Sequence, residues 1–376
     1  MTDKKSKEKK AVINPIVYFA DIAVENLEQK KTLPDKFRRM LGRFKLREKV
    51  DGKKVAIKMH FGSGIGYTTI HPVFIRILVE ELKKAGAIQI AVMDRRPEDG
   101  VARGYTPEVL GCNVISAFGE TGSYLYKEKV GFKELDYAFF GGETVDCDYF
   151  IDLSHIKGHG SCGFGGAMKN IAMGVVPDKT RMKLHHLEGG ISYDPEKCDM
   201  CKKCIESCPN DAIWLKGSKK DKRINMFHNC TYCQHCILIC PNHALDVDDR
   251  KFTDFSKGMA RVTKAFLKKF DPENLLFINF LLDITIFCDC WGFSTASLVP
   301  DIGIVASQDM VAAETASLDM IKTENLLPNG MPKNHELLEG DGHLFERIHA
   351  KDPYHMLHEL EKIYDCSTKY ELKEVK

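Results

Sequence analysis

The chain has 376 residues, enough for roughly two or three domains and a sizeable core. Apolar residues make up 44% and charged residues 28%, the balance of an ordinary globular protein. A net charge of +1 gives no global pull toward nucleic acid, and no run reaches the roughly 18 apolar residues of a membrane span. Residues 1–10 are basic and lack the apolar stretch of a signal peptide, so the expectation is a disordered tail on a cytoplasmic protein. Fourteen cysteines in that setting point to metal ligands rather than disulfides.

In chain order, residues 14–20 read as a strand and 34–48 as a helix opened by Pro34 with Phe37, Met40, Leu41 and Phe44 on one stripe. Residues 54–60 are a second strand, followed by a glycine-rich loop over 62–66. A helix runs from Pro72 to about Ala85 and is stopped by Gly86. Residues 88–93 form the next strand, with Asp94 at its end. Strand, helix and strand at these lengths make a βαβ unit of a parallel sheet. Segments 106–117 and 131–150 carry no clear period. Beyond them lie a buried strand over 149–154, a helix over 255–269 and strands at 275–282 and 301–306, then helices at 308–321 and 353–365.

The expected fold class is therefore α/β, a parallel or mixed sheet with flanking helices. Its halves, residues 11–190 and 251–376, lie on either side of a distinct segment, 191–250. In such a sheet an active site lies at the carboxyl ends of the strands, here marked by His60, Asp94, His155 and Cys288.

The distinct segment contains Cys198-x2-Cys201-x2-Cys204-x3-Cys208-Pro209, and then Cys230-x2-Cys233-x2-Cys236-x3-Cys240-Pro241. This is the bacterial ferredoxin run written twice at an offset of 32 residues. In two-cluster ferredoxins the fourth cysteine of each run serves the other cluster. One 4Fe–4S cluster is thus assigned to Cys198, Cys201, Cys204 and Cys240, and the other to Cys230, Cys233, Cys236 and Cys208. Zinc knots instead offer two separated Cys-x2-Cys pairs.

Between strand 149–154 and this segment the chain is dense in polar and glycine residues. Gly158-x-Gly160-x-x-Gly163 follows a strand as a dinucleotide fingerprint does, yet Gly165, Gly166 and Pro177 leave room for only a short turn where that motif needs a helix. Exposed backbone N–H groups with Lys157 and Lys169 would also form an anion site; the alternative is a tight glycine-rich crossing with the lysines solvated. His155 and His159, with His185 and His186 beyond, are candidate metal ligands, set against the commoner role of a hydrogen-bonded structural histidine. Cys288-Asp289-Cys290 follows a buried strand and offers two thiols for a metal, a substrate or redox chemistry; the alternative is a packed strand end.

Thr32-Leu-Pro-Asp-Lys36, Val55-Ala-Ile-Lys-Met-His-Phe-Gly62, the stretch from His155 to Asn170, both cysteine runs, Cys288-Asp289-Cys290 and Asp301-Ile-Gly-Ile-Val-Ala-Ser307 occur in one order. Together they resemble the uncharacterised iron–sulfur centre proteins, the domain-of-unknown-function family 362, over nearly the whole chain after residue 12. The resemblance implies an α/β domain carrying a two-cluster ferredoxin module, and no settled reaction. The chain departs from that pattern at Arg95-Arg96-Pro97, Glu314 and Ala172.

The expected function is an oxidoreductase. Low-potential electrons pass through two 4Fe–4S clusters to a site built from His155, Lys157, His159, Lys169, Asn170, Cys288 and Cys290, with an additional metal or organic cofactor there and Gly158, Gly160 and Gly163 beside it. The alternative is a non-catalytic electron-transfer module serving a separate redox enzyme. Segment 191–250 has as many acidic as basic side chains, which favours a module wired to its own host. Its partners would be a redox protein or a small-molecule substrate, with neither nucleic acid nor membrane.

Overall fold

Eight strands form the main sheet: β1 (Ile16–Asp21), β2 (Lys54–Met59), β3 (Gln89–Asp94), β4 (Asn113–Ser116), β5 (Tyr149–His155), β6 (Leu275–Leu281), β7 (Gly303–Ser307) and β8 (Glu371–Glu374). The computed structural model describes residues 14–188, 191–208, 211–218, 221–226, 235–247, 249–333 and 335–376. Across the sheet the order is β8-β1-β7-β6-β5-β2-β3-β4. Only β7 runs against its neighbours, β1 and β6; every other pair is parallel. The sheet is therefore mixed and mostly parallel, as the βαβ pattern implies.

Strands β5 and β6 are buried at every position. Helices cover both faces, which is why these strands read as continuous apolar runs rather than alternating ones. Phe150, Leu275 and Phe277 face one core, shared with Ile171, Phe255, Phe266 and Val311. Ile151, Leu276 and Ile278 face the other, shared with Phe37, Phe74 and Leu78. One side is thus packed by helices Ala167–Gly174, Asp249–Leu267 and Met310–Met320, the other by Leu33–Gly42 and Pro72–Lys84.

Some elements differ from the sequence reading. The single helix expected over 34–48 is two, Leu33–Gly42 and Leu46–Val50, broken where Lys45 takes a φ of 52°. Phe44 and Leu46 are both buried. Two positions apart they would point to nearly opposite sides of one continuous helix, so the chain turns to bury both. Segment 106–117 holds β4, and 131–150 holds the second strand of an antiparallel hairpin, Leu125–Phe132 with Leu135–Gly141, whose first strand begins ahead of it. The edge strand β8 went unread because all four of its residues are exposed and lack an apolar period.

Within the cysteine-rich segment, Ile191–Tyr193 pairs antiparallel with Leu245–Val247, so the chain leaves and rejoins at one place. Short helices Lys203–Glu206 and His235–Leu238 repeat at the 32-residue offset of the cysteine runs. Asp211 and His243, at the same offset, both take a φ of 48°. Ile213, Cys236 and Leu245 form a small apolar cluster apart from the two main cores. Cys230, Cys233, Pro209 and the tail 1–10 lie outside the described residues.

Candidate functional site at the strand ends

A cavity of about 260 Å³ opens at the carboxyl ends of β2, β3 and β5. His60, Asp94, His155, Lys157, Lys169, Asn170, Cys288 and Cys290 all line it. Parallel strands ending side by side, with loops diverging from them, leave such a crevice.

Its floor is a buried charge network. The Lys58 ammonium donates to Asp94 Oδ1 at 3.0 Å, Asn170 Oδ1 at 2.6 Å and the Met59 carbonyl at 2.9 Å, using all three of its hydrogens. Asn170 donates in turn to Asp152 Oδ2 at 2.9 Å. Burial pushes the Asp152 carboxyl up to about 7. Burial opposes ionisation of Asp94 too, but the Lys58 charge and the His60 hydrogen bond outweigh it and hold Asp94 well below the usual range. Asp94 Oδ2 lies 3.1 Å from His60 Nδ1. A carboxylate accepts, so Nδ1 carries the hydrogen, and in the neutral form of the ring Nε2 presents a lone pair. That Nε2 is buried and has no hydrogen-bond partner among the described residues.

A second network holds the Cys288–Cys290 turn in place. His155 places Nδ1 2.9 Å from Asp289 Oδ2 and Nε2 2.9 Å from the Leu282 carbonyl. Lys157 donates to the His155 carbonyl at 2.7 Å and sits 3.3 Å from Asp289 Oδ2. Burial would raise the Asp289 carboxyl; His155 and Lys157 overcome it and keep Asp289 ionised. These two sequence-predicted residues are thus spent on Asp289, a residue the sequence reading passed over between two cysteines.

The thiols themselves form the third group. Lys169 Nζ lies 3.2 Å from Cys288 Sγ and 3.6 Å from Cys290 Sγ. His159 Nε2 is 3.8 Å from Cys290 Sγ. The ligand atoms of His159, Cys288 and Cys290 fall within 4.8 Å of one another, close enough to hold a metal ion. Burial disfavours the Cys288 thiolate, yet the hydrogen bond from Cys290 and the Lys169 charge bring Cys288 well below a normal thiol. The same hydrogen bond, followed by burial, keeps Cys290 protonated. Burial, then Lys169, holds the His159 ring neutral.

Two features compete with a metal there. Lys169 already supplies a cation to the thiolate. The Ser161 N–H donates to His159 Nδ1 at 3.1 Å, which puts the neutral ring's hydrogen on Nε2, the atom facing Cys290. A metal at Nε2 would have to displace both.

The structure does not bring every expected residue to this point. Gly158, Gly160 and Gly163 lie in and around the hairpin Lys157–His159 with Gly163–Gly165, and none of them lines the cavity. A Cβ on Gly158 would stand 2.3 Å from the Ile286 carbonyl oxygen, and one on Gly163 would stand 2.9 Å from that of Lys351. Close backbone packing accounts for both. The glycines that do line the cavity are Gly62, Gly165, Gly166 and Gly174. Where only a short turn was expected, residues Ala167–Gly174 form a helix. Of the four candidate histidine ligands only His159 meets the cysteines; His185 pairs with Glu188 instead. Lys58, Arg95 and Arg181 are cavity residues that sequence reasoning did not select. Lys58 had one signal, a charge set directly after the apolar run Val55-Ala56-Ile57 of its strand.

In the cysteine-rich segment, Cys204 is raised by burial and then by the thiols of Cys201, Cys240 and Cys198 around it. Backbone N–H groups donate to sulfur at matching places in the two halves, Ala212 to Cys208 at 3.2 Å and Ala244 to Cys240 at 3.3 Å.

Fold and cavity together define a mixed α/β protein with a histidine–cysteine site at the strand ends. Residues 55–319 match the family described as "Domain of unknown function (DUF362)", and the chain belongs to that family. The lactate racemase apoprotein from Thermoanaerobacterium thermosaccharolyticum aligns with 83% of this chain and 58% of its own, at 14% identity and a TM-score of 0.43. A protein from Thermotoga maritima aligns with 68% of this chain and 52% of its own, at 12% identity and a TM-score of 0.33. The alignments thus span little more than half the length of these solved structures. No curated protein matches the sequence. Among the described residues no helix is long and apolar enough to cross a membrane.

Proposed function

We propose that this chain is an iron–sulfur oxidoreductase in which residues 191–250 form a two-cluster module serving the Cys288–Cys290 site in the α/β domain. Cys198, Cys201, Cys204 and Cys240 would hold one 4Fe–4S cluster; Cys230, Cys233, Cys236 and Cys208 would hold the other. The thiols gathered around Cys204 are those expected to share a cluster, and backbone N–H groups aimed at cysteine sulfur suit thiolate ligands. When bound, such clusters supply one-electron chemistry at a potential on the order of −400 mV.

The observation that carries this reading is a chain of ring contacts from module to cavity. His235, next to Cys236, has its ring 5.5 Å from that of His335. His335 lies 5.9 Å from Phe287, the neighbour of Cys288. The contact supports a module serving its own host over one serving a separate enzyme. At its end, Cys288 is a thiolate nucleophile or ligand, Cys290 a proton donor to it, and Lys169 the counter-charge.

Metal and sulfide counts on full-length protein purified without oxygen test the reading, together with the Cys288→Ser/Cys290→Ser variant. About eight irons in both proteins are expected. Absence of iron from the wild type would sink the proposal. A second reading, a third metal centre on His159, Cys288 and Cys290, rests on their mutual approach within 4.8 Å. It requires one metal more in the wild type than in the variant.

A further inference from the structure

The cations of the cavity are not all accounted for. Lys58, Lys157 and Lys169 spend their charge on Asp94, Asp289 and the thiols. Arg95 and Arg181 also line the cavity, and both reach the same oxygen of Asp178; Arg181 does so at 3.4 Å. Asp178 is 65% exposed, whereas the arginine side chains are only 17% and 27% exposed, so one well-solvated carboxylate is set against two partly buried guanidinium groups. The Nε atom of each arginine is buried without a hydrogen-bond partner among the described residues. Burial and the neighbouring Arg181 both act against the charge on Arg95, and Asp178 and Asp94 offset them only in part. An anion between the two would remove that repulsion and satisfy both orphaned donors.

We propose that Arg95 and Arg181 form an oxyanion subsite of this cavity, gripping the carboxylate or phosphate head of a small substrate whose body extends toward His60 and Cys288. The inference supplies the substrate class for the oxidoreductase proposed above and rests on that reading only for the chemistry at Cys288. Guanidinium forks match the paired oxygens of both head groups, which a lysine does not. The Nε2 of the neutral His60 ring accepts a hydrogen bond from an N–H or O–H of the ligand.

Isothermal titration of the full-length protein in chloride buffer, with inorganic phosphate and separately with succinate, tests the subsite. Saturable binding of at least one is expected, and which one binds tells a phosphate head from a carboxylate. Arg181→Gln should weaken it by about tenfold or more, the scale for a lost charged hydrogen bond, while Arg181→Lys recovers only part. Circular dichroism of both variants checks that the fold is intact. Anion binding and the iron count are separate readouts, so the subsite stands or falls separately from the iron–sulfur reading. No binding of either anion, or equal binding by Arg181→Gln, would overturn the inference.

Discussion

The Lys169 ammonium lies 3.2 Å from the Cys288 sulfur, closer than to any other thiol it meets. Together with the hydrogen bond from Cys290, that contact favours Cys288 as the thiolate of the pair. Replacing Lys169 by Met removes the nearest counter-charge from a buried thiol and leaves only the weaker pull of Lys157 and His60. Alkylation of Cys288, followed by mass spectrometry of its peptide and run across a pH series, should lose its low-pH reactivity in Lys169→Met, the thiolate fraction falling about tenfold for each unit by which the pKa rises above the working pH. Lys169→Arg, which keeps the charge, should restore much of the rate. An unchanged rate in Lys169→Met would mean that the ammonium does not set the ionisation of Cys288.

The glycines separate packing from cavity lining. A Cβ at Gly158 meets the Ile286 backbone oxygen at 2.3 Å, and a backbone atom cannot swing aside. Gly158→Ala should cost about 2 kcal/mol or more in urea unfolding. At Gly165 the nearest atoms are Lys157 Cε at 3.3 Å and Lys169 Cδ at 3.5 Å, both in flexible side chains. Gly165→Ala should cost under about 1 kcal/mol while crowding the thiol site. Equal costs at the two positions would contradict this division.

The sheet was legible because a strand buried on both faces, such as Leu275–Leu281, has to be apolar throughout. The Cys288–Cys290 pair and His159 could be picked out because their residue types carry chemistry. Other parts of the site had no local signal. Arg95 and Arg181 are far apart in sequence and meet only through Asp178. His155 and Lys157 looked catalytic because they flank a strand end, yet in the fold their polar atoms are taken up by Asp289 and backbone carbonyls. The glycine pattern imitated a phosphate loop because tight backbone crossings also demand glycine.

Glu314 gives the protein an alkaline sensitivity. Its Oε1 accepts from the Met168 N–H at 3.1 Å, its Oε2 has no partner among the described residues, and burial pushes the carboxyl up to about 8 from an ordinary 4.5. The folded state therefore keeps a proton that the unfolded chain has released. The stability this confers is complete below about pH 4.5 and is lost as the pH rises through 8. In Glu314→Gln the amide oxygen still accepts from Met168 and nothing titrates. Plotted against pH, the stability difference between variant and wild type should grow in the variant's favour up to about pH 8 and then level off. A flat difference in urea titrations from pH 5 to 9 would show that Glu314 ionises freely.

His349 sets the opposite slope at low pH. Its Nε2 lies 2.9 Å from the Ile286 carbonyl, and burial, with help from Lys351, lowers the ring to about 3 from 6.5. Here the unfolded chain takes up a proton that the folded state refuses. Stability is complete above about pH 6.5 and falls as the pH drops toward 3, by about 1.4 kcal/mol for each unit of that separation. His349→Gln can keep the hydrogen bond to Ile286 and carries no titrating ring. The wild type should lose stability faster than this variant between pH 6.5 and 4, and the two should run parallel above pH 7. Because Ile286 is two residues from Cys288, the same acid step should loosen the thiol turn before the molecule unfolds. Hydrogen exchange at Ile286 and Phe287 in the wild type should therefore quicken beyond its intrinsic pH dependence below pH 6, and remain slow in His349→Gln.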